Sequence, residues 1–301
     1  MTSRKDHIDG RALALLLLCC AIWGLGQVAA KVTLAEIPPL LQASVRSFGA
    51  AALLALWSHW RGLPLWTRDG TGPGGLLAGL LFAAEFACIF IGLQYTAASR
   101  MIVFIYLAPF VVALGMPLIA PAERLDRWQL AGLVGAFGGV VWAFLGGFTA
   151  PAAGPLQWVG DALGIAAAVF WGLTTLTLRR TRLAVASPEK ALLYQLLVSG
   201  LALGAAAFAA GEPWPARLTG ASMWPLAFQT VVVTFASYLV WFWLIRHYPA
   251  TRVSAFTLLT PIFGLLAGVL LLGEPVTSRI LVALAAVSFG IALVNRVGRG
   301  P

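Results

Sequence analysis

Four stretches of this chain contain no Asp, Glu, Lys or Arg at all: Ala12–Ala30, Met101–Ala122, Leu218–Ile245 and Val253–Gly273. An α-helix needs about 20 apolar residues to cross the hydrocarbon layer of a bilayer, and each run is of that order. Only 10% of all residues are charged, against about 25% in soluble domains, and the mean hydropathy is +0.89. The predicted fold class is an all-α membrane protein. Almost nothing is left over for a soluble domain, so its function must be performed in the membrane.

Ten spans are predicted, at about 11–34, 40–60, 73–95, 98–119, 127–146, 158–180, 190–210, 222–246, 251–272 and 277–296. Loop signals such as Pro38-Pro39, Asp69–Pro73, Ser187-Pro188 and Gly273–Pro275 separate them. With a cytoplasmic N-terminus, all 20 basic residues except Lys31, Arg46, Arg100, Arg217 and Arg279 fall in inside segments. That bias predicts that both termini are cytoplasmic. Trp57, Trp60, Trp66 and Trp128 near inner ends, and Trp158, Trp214 and Trp224 near outer ends, suit the headgroup level. The apolar run after the polar Met1–Gly10 continues to Ala30 without a small-residue cleavage pattern, so it reads as a retained first span. Despite a net charge of +9 the basic residues form no patch, so nucleic acid is not expected. Cys19, Cys20 and Cys88 lie in apolar runs without metal-ligand spacing, and no metal or cofactor is predicted.

The two halves of the chain resemble each other. Ile22-Trp23-Gly24-Leu25 matches Phe170-Trp171-Gly172-Leu173, at an offset of 148 residues. Pro109 matches Pro261, and Phe137-Gly138 matches Phe289-Gly290, both at an offset of 152. Five spans per half is an odd number, so the second copy enters the membrane upside down. The expected organisation is therefore two inverted five-helix repeats, residues 1–150 and 151–301, around a central cavity. Inverted repeats of this kind recur in transporters that bind cargo at the midplane.

The Trp-Gly pairs of spans 1 and 6, the prolines of spans 4 and 9, and Gly273-Glu274-Pro275 with its degenerate counterpart Pro121-Ala122-Glu123 carry a family likeness. Through them the chain resembles the drug/metabolite transporter superfamily in its ten-span EamA-type branch. Within that branch it is most similar to bacterial exporters of aromatic and other amino acids, which also extrude paraquat. The resemblance implies a cavity lined by spans 1, 3, 4, 6, 8 and 9, with spans 5 and 10 packed peripherally. It also implies export rather than uptake.

Candidate site residues come from polar and aromatic positions inside the spans. Trp23, Gln27 and Lys31 share one stripe of span 1 at four-residue spacing. Gln27 fits a cavity wall, whereas Lys31 can equally snorkel outward. Glu85 is costly in lipid and should face a wet interior, either to bind a cationic group or to titrate in proton coupling. The structural alternatives are an ion pair with Arg46 or a protonated acid bonded to a backbone carbonyl. Tyr238 is the counterpart of Glu85 in the second half. Tyr106, Trp171 and Trp241 offer aromatic faces for a side chain or an ammonium. Pro109 and Pro261 each remove a helix hydrogen bond and are expected hinges. Gly135-x-x-x-Gly139 in span 5 is a small face suited to helix packing, and a monomer or weak homodimer is expected.

No HExxH, GxSxG or phosphate-loop motif is present, so an enzyme and direct ATP drive are not expected. The expected partners are the lipid bilayer and a small-molecule substrate, an amino acid or related metabolite. Cationic drugs or nucleotide-linked sugars are the rival cargoes, and an intramembrane enzyme is the rival class. Short loops and the excess of Arg over Lys suit a bacterial inner membrane.

Overall fold

The computed structural model describes residues 7–96, 98–149, 154–272 and 278–296. Its elements are α1 (Gly10–Thr33), α2 (Pro39–Trp60), α3 (Gly72–Gly92), α4 (Ala98–Ile105), α5 (Ala108–Gly115), α6 (Arg127–Ala143) and α7 (Gly146–Thr149) in the first half. The second half holds α8 (Gln157–Arg180), α9 (Pro188–Ala209), α10 (Gly220–Phe228), α11 (Tyr238–His247), α12 (Ala250–Phe256), α13 (Thr260–Leu272) and α14 (Ser278–Val294). No strand occurs among the described residues.

Eight helical segments are long and apolar enough to cross a bilayer. The other two predicted spans correspond to α6 and α14, of 17 residues each. At about 1.5 Å per residue these are shorter than a full crossing of about 30 Å. The helix starts follow local chemistry. Asp9 accepts a hydrogen bond from the Ala12 amide at 2.9 Å, and Asp126 with Gln129 forms a capping box at the head of α6. Gly70, at φ 73°, takes the left-handed turn that leads into α3.

Three of the predicted spans are irregular. The fourth breaks between α4 and α5, where Pro109 sits in the first turn of α5. The ninth passes through a 3₁₀ turn, Thr257–Leu259, between α12 and α13. Both interruptions lie just before the expected hinge prolines, as the loss of a backbone N–H dictates. The eighth span carries a π-helical segment, Gln229–Ser237, between α10 and α11, which the sequence does not announce.

Hydrogen bonds gather the chain into two ends. At the near end, where α1 begins, Tyr248 donates to Asp9, Lys190 to Asp69, and Gln129 to the carbonyls of Val294 and Arg296. His7 and Arg296 therefore lie at one end. At the far end Thr96 donates to Asp161, and the Leu40 and Leu41 amides donate to Glu212. Thr96–Asp161 and Asp9–Tyr248 are related by the same 152-residue offset as the prolines.

Helix pairing respects that exchange of halves. α2 packs on α9 and α6 on α14; α1 meets α13 as α5 meets α8, and α3 meets α8 as α1 meets α10. In the peripheral α6–α14 pair a Cβ at Gly132 would stand 2.6 Å from the Gly290 carbonyl oxygen, and one at Gly139 2.9 Å from Ala286 Cβ. Gly135 meets nothing within 4 Å, so the packing face is Gly132–Gly139 rather than the expected Gly135–Gly139, and it is used within the chain.

Candidate functional site

Between the halves lies one large cavity of about 640 Å³. Its lining reaches from Leu34 and Leu93, at the far-end termini of α1 and α3, down to Leu178 and Phe242. Below those residues the near end is shut. Glu123, in the 3₁₀ turn Pro121–Glu123, pairs with Arg179 and accepts from the Ala250 amide at 2.7 Å. Arg179 also donates to the Ile245 carbonyl at 3.2 Å. Both side chains of the pair are only 7% exposed, so water has little access to this clasp.

The cavity brings together most of the expected site. Trp23, Arg46, Glu85, Tyr106, Trp171, Tyr238, Trp241 and Pro261 all line it. Pro109 is buried in α5 and is not part of the wall. The side chains of Gln27 and Lys31 lie outside the described residues, as does Gly273–Pro275. Arg100 belongs to α4 and pairs with Asp161 at 2.5 Å.

The aromatic wall is held in place. Trp23 donates its indole N–H to Ser237 Oγ at 2.7 Å, and Ser237 donates to the Val233 carbonyl at 2.6 Å inside the π segment. Trp23 meets Trp241 edge-on at 5.1 Å and Tyr238 at 6.0 Å; Tyr106 meets Trp171 at 5.8 Å. Such pairs fix ring planes as well as burying area. The π segment lets one span present Gln229, Val233 and Tyr238 to the same cavity.

The two charges are the unusual part. Arg46 and Glu85 are each 6% exposed, and no hydrogen bond or ion pair joins either to another described residue. One alternative expected from sequence, a structural Arg46–Glu85 pair, is therefore not formed. Arg46 instead lies over the Phe86 ring, 4.2 Å from its centroid. Holding an unpaired ion away from bulk water costs several kcal/mol, which the opposite charge of the other group offsets in part. Elsewhere buried charges are paired: Glu123 with Arg179, and Lys190 with Asp69 at 2.7 Å.

Outside the spans, two carboxylates are tuned by their donors. Lys190, then Thr71, holds Asp69 well below the usual carboxylate range. Ser222 and Thr219 lower Glu36 at the far end, where the Thr219 amide also donates at 2.8 Å. Both are local ties between loops and helix ends.

Gln195 and Gln229 line the cavity with Thr174 and Thr175, and none was anticipated. The signal was present, since Gln195 and Gln229 are amides inside apolar runs, where an unpaired polar group is costly. Gln229 is tied to Gln42 at 2.9 Å and to Thr33 at 3.0 Å.

Comparison with known proteins agrees with this architecture. The profile of the EamA-like transporter family matches residues 10–145 and again 158–296. A Salmonella typhimurium protein named "Probable amino-acid metabolite efflux pump" is 31% identical, covering 96% of this chain and 94% of its own. The Bacillus subtilis "Uncharacterized transporter YvbV" is 28% identical over 95% of this chain and 92% of its own. A solved crystal structure superposes with a TM-score of 0.80 over 93% of this chain and 94% of that one, at 17% identity, which shows the fold alone.

Proposed function

This multi-pass membrane protein belongs to the EamA-like transporter family, and from that premise we propose that it exports amino acids and related small metabolites from the cytoplasm by alternating access. The observation that carries this reading is the cavity itself. It is large and aromatic-walled, is lined by Arg46 and Glu85 with no hydrogen bond to either, and ends above the buried Glu123–Arg179 clasp. The efflux-pump names of relatives support export, and their amino-acid label supports the cargo.

In this reading α6 and α14 complete ten crossings, arranged as two inverted repeats, 1–150 and 151–301. The exchange-invariant helix pairing and the recurrence of the family profile in each half support it. His7 and Arg296 at one end, beside most of the basic residues, support cytoplasmic termini in a bacterial inner membrane. Pro109 and Pro261 serve as the bends about which the spans rock, and the protein acts as a carrier rather than an enzyme.

Counterflow in proteoliposomes tests this reading. A panel of labelled amino acids should exchange only when the same solute is present inside, and flux should saturate. Folded protein that moves no amino acid would remove the proposal.

A further inference from the structure

The arrangement of Arg46 and Glu85 goes beyond a general amino-acid carrier and, resting on that reading, names what the cavity reads. We propose that the cargo is recognised as a zwitterion, its carboxylate held by the Arg46 guanidinium and its ammonium by the Glu85 carboxylate.

Three observations converge. First, the two groups sit on adjoining helices, α2 and α3, and both line the same cavity. Second, no ion pair within 4.0 Å joins them, so each keeps charge available to a third group while facing the other's opposite charge. Third, Arg46 Nε and Glu85 Oε2 are both buried without a hydrogen-bond partner. Neither head group is satisfied by another described residue, although both residues line the cavity. The other buried carboxylate among the described residues, Glu123, is met by an amide and a cation.

Charge balance then sorts the cargo. A zwitterion compensates both groups and leaves the cavity neutral. A simple cation satisfies Glu85 but faces Arg46, and a simple anion satisfies Arg46 but faces Glu85. Burying a charge beside a like charge is unfavourable in a low-dielectric site. A cationic drug is thus a poorer fit than an amino acid, although either could stack on Trp23 and Trp241. Arg46 is held over the Phe86 ring, and its guanidinium can meet a carboxylate through two parallel N–H donors.

The test measures binding, not flux, with full-length protein in nanodiscs. Isothermal titration uses alanine, leucine and phenylalanine as probes. Each is compared with its amine, lacking the carboxylate, and its acid, lacking the ammonium. The wild type should bind at least one amino acid tenfold or more tightly than both counterparts. In Glu85→Gln the acid should bind as tightly as the amino acid or better, and in Arg46→Gln the amine should do so. If an amine matches its amino acid in the wild type, if no probe binds, or if the two folded variants lose every probe in parallel, the assignment is overturned. Zwitterion-selective binding without counterflow would leave this assignment standing and remove the carrier reading instead.

Discussion

Glu123 is a residue whose loss should be felt at once. Its carboxylate serves Arg179 and the Ala250 amide, and all are buried at the near end. Removing one partner of a buried pair leaves the other uncompensated, so Glu123→Ala should cost about 3–5 kcal/mol. Thermal unfolding in detergent should show it, and adding Arg179→Leu should recover part of the loss. Asp69 makes a gentler, pH-dependent prediction. Its folded pKa lies below the ordinary 3.8, so its contribution to stability is fully present above that value. The contribution is lost as pH falls from about 4 through the lower folded pKa. The unfolding temperature should be flat at neutral pH and fall in acid, and Asp69→Asn should remove part of that acid sensitivity. The sequence made Glu85 conspicuous because a carboxylate among Leu, Phe and Ala has no ordinary reason to be there. It did not reveal that Arg46 leaves Glu85 unpaired, because pairing depends on how α2 and α3 are rotated, and neither helix has a sharply polar face. Gln195 and Gln229 were harder still, since an isolated amide carries no charge to flag it.

At the scale of elements, the broken spans and the tight α6–α14 pair make opposite demands. Pro109→Ala and Pro261→Ala restore an N–H and should straighten their helices. If the breaks act as bends, each substitution should slow counterflow by about tenfold, equivalent to about 1.4 kcal/mol of barrier, with binding retained. Gly132→Val should push α14 away and cost about 1–3 kcal/mol, whereas Gly135→Ala, with nothing within 4 Å, should leave the unfolding temperature unchanged. The helices and their breaks were legible because apolar run length, loop residues and proline act locally. The π segment was not, because nothing in Gln229–Ser237 distinguishes a wider turn from an ordinary one. It is stabilised by contacts such as Trp23–Ser237 that join residues more than 200 positions apart. The glycine face was legible in composition but not in register, since four glycines in α6 offer two faces and only α14 selects between them.

For the molecule as a whole, the internal likeness of the sequence was readable as an offset, and the same offset relates Thr96–Asp161 to Asp9–Tyr248 at opposite ends. Ten crossings predict that His7→Cys and Arg296→Cys both react with an impermeant maleimide from the cytoplasmic side alone; reactivity from opposite faces would mean an odd number of crossings. The cavity's lining runs from the far ends of α1 and α3 to Leu178 and Phe242, and the buried Glu123–Arg179 clasp lies beyond it. A passage barred by such a clasp cannot conduct a file of solutes, because nothing crosses until the walls have moved. Throughput per molecule should therefore be capped by backbone rearrangement on the microsecond-to-millisecond scale rather than by diffusion through a pore.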